Sequence, residues 1–501
     1  MSDIVYGLVN AFSLLNLFAA LASTAVGIVV GALPGLSAAM GVALLIPITF
    51  GMPADTALIA LAGVYCGAIY GGSISAILLH TPGTSSAAAT AIDGYQLTLQ
   101  GKAGKALATA TIASFIGGVL STIALYTLSP LLAKLALKFG PTEYFWLSIF
   151  GLTIIAGVSS DSMLKGLISG ALGLVISTIG MDPMLGIPRF TFGATSLLEG
   201  LPFTATLIGL FSMSQVLVLS EKKLKEMEKP KAVTDKVLLS WDEIKTILPI
   251  SLYSTLIGTV VGILPGAGGT IASFMGYNEA KRFSKNKELF GKGSIEGIAG
   301  AEAANNAVTG GSLIPTLTLG IPGNSVTAIL LGGLIIQGLK PGPDLFTVHG
   351  KITYTFFAGF AIVNVFMLLL GLFGVRFFAK IAGVKDSILI PIIFSLSVVG
   401  SFAINNRMSD VWVMFIFGII GYFAKKFNLN SAAIVLALIL GPIGETGLRR
   451  TLIMNKGSYA SLFNSTISWV LIIVSVLSLL SPIVMAKFEK KHENITDQIN
   501  K

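Results

Sequence analysis

Two short segments combine residues able to hold an anion without any charged side chain: His-Thr-Pro-Gly-Thr-Ser-Ser at residues 80–86 and Gly-Ile-Pro-Gly-Asn-Ser at residues 320–325. Proline has no amide N–H and glycine lifts side-chain restraint, so Pro-Gly should end a helix in each. The Thr-Ser or Asn-Ser that follows is N-cap chemistry, and a new helix should begin there. Such a start aims free N–H groups and partial positive charge at the break. Helix N-termini bind carboxylates and phosphates for that reason. The candidate substrate contacts are Thr81, Gly83, Thr84 and Ser85 in the first segment, and Pro322, Gly323, Asn324 and Ser325 in the second. Helix capping alone would explain one copy; a matched pair favours a ligand.

A second pair of breaks precedes these. Residues 27–35, GIVVGALPG, return as GTVVGILPG at 258–266, with seven of nine positions identical and an offset of 231 (258 − 27). Paired helix breaks at matching positions of two membrane halves point to a transport site. Backbone carbonyls at Pro34, Gly35, Pro265 and Gly266, with the hydroxyl of Ser37, offer oxygens to a small cation. Asn305, Asn306 and Thr309 add more, whereas their first-half counterparts are Cys66, Gly67 and Tyr70, so a cation site would be asymmetric. Helix packing is the structural alternative, because small residues let membrane helices approach and Asn and Ser bond across them. It is favoured outright for Gly27, Gly31, Gly258 and Gly262, which stand at GxxxG spacing.

Ionisable residues in apolar surroundings are costly and point to function. Glu302, ahead of the Asn pair, is a candidate for proton or cation coupling. Asp93 is expected near an interface, and Glu143, Asp161, Asp182 and Glu199 as solvated caps. His80 is expected to pack and hydrogen-bond rather than titrate. No lysine or arginine falls within the core motifs, so an anion would be held by helix ends, hydroxyls and a bound cation.

The elements that must position these residues are membrane helices. Of the residues, 53% are hydrophobic and 11% charged, against about a quarter charged in soluble chains. Apolar runs at 107–132, 356–375 and 467–485 meet the roughly 20 residues a bilayer requires. The expected fold is an all-α polytopic membrane protein of two structural repeats, with interrupted helices or re-entrant hairpins in each. Residues 1–220 form the first repeat and 244–490 the second; the charged stretch 221–243 is a linker and 491–501 a polar tail. Short runs such as 37–50 suit half-helices lining a cavity. Inverted halves are preferred on mechanistic grounds, with the uncharged N-terminus outside and the basic linker in the cytoplasm, although the basic tail then breaks the positive-inside pattern. No signal-peptide pattern opens the chain, so the first helix is expected to be retained.

Several function classes fall away. HExxH, GxSxG and Walker patterns are absent, and three histidines are too few for a histidine-rich metal site. The chain is expected to be no enzyme, to have no catalytic residues and no cofactor, and to hold no metal beyond sodium. The single cysteine, Cys66, excludes an intramolecular disulfide framework. The net charge of +9 sits in short connections, as in cytoplasmic loops facing a lipid bilayer, and does not indicate nucleic-acid binding.

Taken together, GALPG with LIPITFGM at 45–52, YGGSISAILLHTPGTSSAAATAIDGY at 70–95, LPGAGG at 264–269 and TLGIPGNSVTAILLGGL at 318–334 resemble the large membrane subunit of tripartite tricarboxylate transporters, the TctA family. The resemblance covers nearly the whole chain. It implies a secondary importer of the cell (inner, cytoplasmic) membrane with two partners: a small membrane subunit of four helices and an extracytoplasmic solute-binding protein. The substrate would be an organic acid such as a tricarboxylate, and the coupling ion sodium or a proton. A gated organic-anion channel without cation coupling is the alternative.

Overall fold

The computed structural model describes residues 2–158, 163–221, 233–266 and 268–479. The chain is an all-α polytopic membrane protein: nine helices among the described residues are long and apolar enough to span a bilayer. The only strands described are two residues each, Gly180–Met181 paired with Pro188–Arg189.

The first half runs Asp3–Ala11 (α1), Leu14–Ala32 (α2), Ala38–Thr49 (α3), Ala54–Leu79 (α4), Ala88–Leu99 (α5) and Ala103–Ala136 (α6). Next come Pro141–Val158 (α7), Met163–Ser177 (α8) and the continuous helix Phe203–Glu221 (α9). The second half repeats the opening order: Trp241–Ile263 (α10), Gly268–Phe283 (α11), Ile295–Leu319 (α12), Ser325–Ile336 (α13) and Gly350–Phe373 (α14). Asp386–Ala403 (α15), Met408–Lys426 (α16) and Ser431–Met454 (α17) follow. Both Leu-Pro-Gly segments thus separate α2 from α3 and α10 from α11. Both Pro-Gly-polar-Ser segments separate α4 from α5 and α12 from α13.

The described chain divides into two compact units, residues 1–136 with 203–422, and 137–202 with 423 onward. Each takes residues from both sequence halves, a division by contact rather than by repeat. Within the first unit, α4 and α12 are the inner helices and are buried almost throughout. The GxxxG glycines carry the approach to them. A Cβ on Gly31 would lie 2.1 Å from the Ala68 carbonyl oxygen, and one on Gly258 2.1 Å from that of Ala304. Helix α12 has 25 residues yet is absent from the nine apolar spans, because it carries Glu296, Glu302, Asn305 and Asn306. Protein surrounds it on every side, so the lipid-facing apolar face that spans need is not required here.

Helices α7, α8 and α17 pack together in the second unit. There Asp182 is 4% exposed and takes both Arg449 bonds, at 3.0 and 2.8 Å, which corrects the expectation of a solvated cap. The backbone N–H groups of Leu185 and Met184, with Arg449 behind them, hold its carboxyl below the usual range. Glu143 is also buried, accepting from the Gly140 N–H at 2.8 Å, whereas Glu199 is exposed. Asp161, the tail 491–501 and residues 222–232 of the linker lie outside the described residues. At the linker's end, Ser240 and Glu243 form a capping box that starts α10.

Candidate functional site

A cavity of about 420 Å³ opens within the first unit, and four helix starts line it: Ser37–Ala39, Thr84–Ser86, Gly268–Thr270 and Asn324–Val326. They begin α3, the turn leading into α5, α11 and α13. The remaining wall is Tyr65, Ile69, Gly83, Phe211, Asn305 and Val308. No acidic or basic side chain is among these lining residues. The first N–H groups of a helix lack intrahelical acceptors, and an α-helix start carries about half a positive charge; three of the four are such starts, and the fourth is the short 3-10 turn Ser85–Ala87. The four starts around an uncharged hollow aim partial positive charge into it, which is chemically able to hold an anion. The volume suits a small organic acid.

Of the residues singled out from sequence, Gly83, Thr84, Ser85, Asn324 and Ser325 line this cavity, as do Ser37 and Asn305. Thr81 is exposed outside it and donates to the Leu79 carbonyl at 3.2 Å. Pro322 and Gly323 are buried but do not line it. A Cβ on Gly323 would stand 2.7 Å from the Gly262 carbonyl oxygen, and one on Gly83 would stand 1.9 Å from that of Gly31. Glycine is therefore required at both Pro-Gly breaks, so that each can lie against the preceding GxxxG helix. Pro34, Gly35, Pro265 and Gly266 also stay out of the lining. The Gly35 carbonyl accepts from Gln215 at 2.6 Å, and the Gly266 N–H donates to the Gly323 carbonyl at 2.8 Å.

The side chains divide into committed and uncommitted groups. The Asn324 oxygen caps α13 by accepting from the Val326 and Thr327 N–H groups, and its nitrogen donates to Tyr65 Oη at 2.7 Å. Ser37 caps α3 by accepting from the Met40 N–H. Ser85 Oγ meets Thr270 Oγ1 at 3.0 Å, and Thr84 Oγ1 meets Ser86 Oγ at 3.2 Å. Asn305 differs: it is 1% exposed, and both ends of its amide lack a hydrogen-bond partner. Leaving such a group unpaired costs about 1–3 kcal/mol per donor or acceptor, a cost that a polar group entering the cavity would relieve.

Asn306 and Thr309 face away from the cavity lining into the helix core. Thr309 donates to the Asn306 carbonyl at 2.6 Å, and Asn306 Nδ2 donates to Ser114 Oγ at 2.7 Å. Glu302 is fully buried one turn before Asn306, its carboxylate taking the hydroxyls of Thr90 at 2.5 Å and Ser114 at 2.9 Å. Asp93 is fully buried too, which corrects its expected interfacial place. Its Oδ1 accepts from the N–H groups of Gly291, Gly293 and Ser294, and its Oδ2 from the Tyr277 hydroxyl. It ties α5 to the loop that enters α12. His80 packs on Tyr95, with ring centroids 4.7 Å apart.

Sequence reasoning missed Tyr65 and Phe211, and assigned the Leu-Pro-Gly segments to a cation rather than to the walls of this cavity. Phe211 stands on a π-helical turn, Ile208–Met213, inside α9. Such turns cluster at functional sites but carry no motif in the chain.

The model of the tripartite tricarboxylate transporter TctA family matches residues 17–436. The chain is 36% identical over 496 residues to an uncharacterised 52.8 kDa protein of the TAR-I ttuC′ 3′ region of Agrobacterium vitis, covering 98% of each. It is also 36% identical over 233 residues to an uncharacterised protein of the TAR-II ttuC′ 3′ region of that organism, covering 46% of this chain and 96% of the other. No solved structure matches. With a match of this extent, the chain belongs to the TctA family.

Proposed function

We propose that this TctA-family chain is the large subunit of a secondary active importer that moves a carboxylate anion, a tricarboxylate or a related organic acid, by sodium or proton symport. It receives the anion from an extracytoplasmic solute-binding protein and works beside a small four-helix membrane subunit in the cell membrane. The observation that carries this reading is the convergence of four helix starts on one uncharged cavity. Dipoles and hydroxyls can hold carboxylates there without a basic side chain, leaving part of the charge to be offset by a co-transported cation. Thr84, Ser85, Asn324 and Ser325 frame the substrate, and Asn305 supplies its free amide. The two halves, inverted with respect to one another, would expose the cavity alternately to the two faces.

The test is uptake into proteoliposomes holding both membrane subunits, with the cognate binding protein and the radiolabelled carboxylate it captures. Accumulation above equilibrium that follows an imposed sodium or proton gradient is expected. Uptake that only equilibrates, whatever the gradient, would identify a gated anion channel instead.

A further inference from the structure

We infer that Glu302, Asn306, Ser114 and Thr90 form a binding site for one sodium ion, buried beside the substrate cavity and distinct from its walls. The inference rests on the symport reading above and deepens it by naming where the coupling ion sits.

Three helices supply the site: α12 gives Glu302 and Asn306, α6 gives Ser114, and α5 gives Thr90. Asn306 Nδ2 lies 3.4 Å from Glu302 Oε2, which draws the amide against the carboxylate. No salt bridge among the described residues reaches Glu302. The titratable groups packed around this stretch are Tyr70, bonded to Thr111; Cys66, bonded to Thr309; and Asp93 with Tyr277. None is cationic. The carboxylate therefore has donors but no counter-charge, in a buried setting where an uncompensated charge is costly.

An independent observation points to a cation. Asn306 Oδ1 is buried without any hydrogen-bond partner, although the nitrogen of the same amide has several. An empty acceptor on an amide whose nitrogen lies 3.4 Å from an uncompensated carboxylate is what a bound cation would satisfy. The available donors are all oxygens (one carboxylate, one amide and two hydroxyls), the set that hard cations prefer. Charge then selects valence. A single positive charge neutralises the single carboxylate, whereas a divalent ion would leave net charge in a buried, low-dielectric place.

The site also shares its helices with the cavity. Asn305, adjacent to Asn306, lines the cavity, and Ser86, one turn before Thr90, does so on the segment entering α5. An ion drawing α5 and α12 together fixes where residues 83–86 stand against the substrate. Coupling of this kind is reciprocal, so substrate tightens ion binding by the same factor.

The experiment is radioactive sodium binding to the purified full-length protein, with choline replacing sodium to hold ionic strength, read alongside sodium-dependent thermal unfolding. Wild type is expected to bind sodium and unfold at higher temperature with it; Glu302→Gln is expected to lose both responses while remaining monodisperse. Ser114→Ala keeps the carboxylate and is expected to weaken sodium binding about tenfold, the equivalent of one lost hydroxyl bond. It decides the matter should Glu302→Gln fail to fold. Sodium binding that survives unchanged in both variants overturns this site and leaves symport standing. So does a wild type that binds no sodium yet accumulates substrate on a proton gradient. A wild type with neither response to sodium nor gradient-driven uptake overturns the symport reading itself.

Discussion

The two Pro-Gly breaks share a plan and differ in finish. In the second half, Gly320 takes the left-handed φ of 71° that ends α12, and Asn324 caps α13 and reaches Tyr65. In the first half the same left-handed place falls to His80, at φ 54°, and Thr84 makes no cap bond. Only a short 3-10 turn, Ser85–Ala87, leads into α5. The second break is held by its own side chains. The first leaves its hydroxyls to one another and to Thr270. Segments alike in sequence thus form a side-chain-capped helix start on one side and an uncapped 3-10 turn on the other.

The largest test of this contrast is steric. Gly83→Ala should destabilise the protein more than Gly323→Ala, because its Cβ meets the Gly31 carbonyl oxygen at 1.9 Å, against 2.7 Å from the Gly262 carbonyl oxygen for the other. Overpacking of this kind costs about 1–3 kcal/mol or more, read as the fall in unfolding temperature of the purified protein. Equal or reversed costs would break the comparison. Next comes capping. Asn324→Ala should cost about 1–2 kcal/mol, whereas Thr84→Ala, with no cap to lose, should stay within about 0.5 kcal/mol. Similar losses in the same melts would show that both breaks are capped alike.

Asn305→Ala separates binding from stability. Removing an amide that bonds nothing should leave the melting temperature unchanged or raise it, while the KM for uptake rises about tenfold. A clear loss of stability with unaltered KM would make Asn305 a packing residue. The smallest effect is at the seam between the halves. Ser85→Ala and Thr270→Val should each alter KM a few-fold, and a double-mutant cycle should return about 0.5–1 kcal/mol of coupling. Zero coupling would place the two hydroxyls apart in the working protein.

Much of this was legible in the chain because helix breaks are local. Pro-Gly and the cap residues after it act within a turn, so the ends of α4 and α12 and the starts of α5 and α13 followed from residue type. Packing at Gly27, Gly31, Gly258 and Gly262 was legible for the same reason, since a residue without a side chain at GxxxG spacing marks a close approach. Asp93 misled because it stands beside Gly94 and Tyr95, and Asp182 because it flanks apolar spans, places where acidic residues usually meet solvent. In the folded chain distant N–H groups and Arg449 satisfy them instead.

The sequence by itself determined the class of the protein, the places where its helices break and the likeness of those breaks between its two halves. Composition and local backbone chemistry set each of these. Only the tertiary structure decided that the Leu-Pro-Gly helix starts share one cavity with the Pro-Gly starts, that the Asn324 amide is spent while that of Asn305 is free, and that Glu302 meets Thr90 and Ser114. The contacts to Glu302, for example, come from residues 188 (Ser114) and 212 (Thr90) positions away. Such contacts depend on how buried helices stack, and stacking is set by the whole packed core rather than by any segment of it.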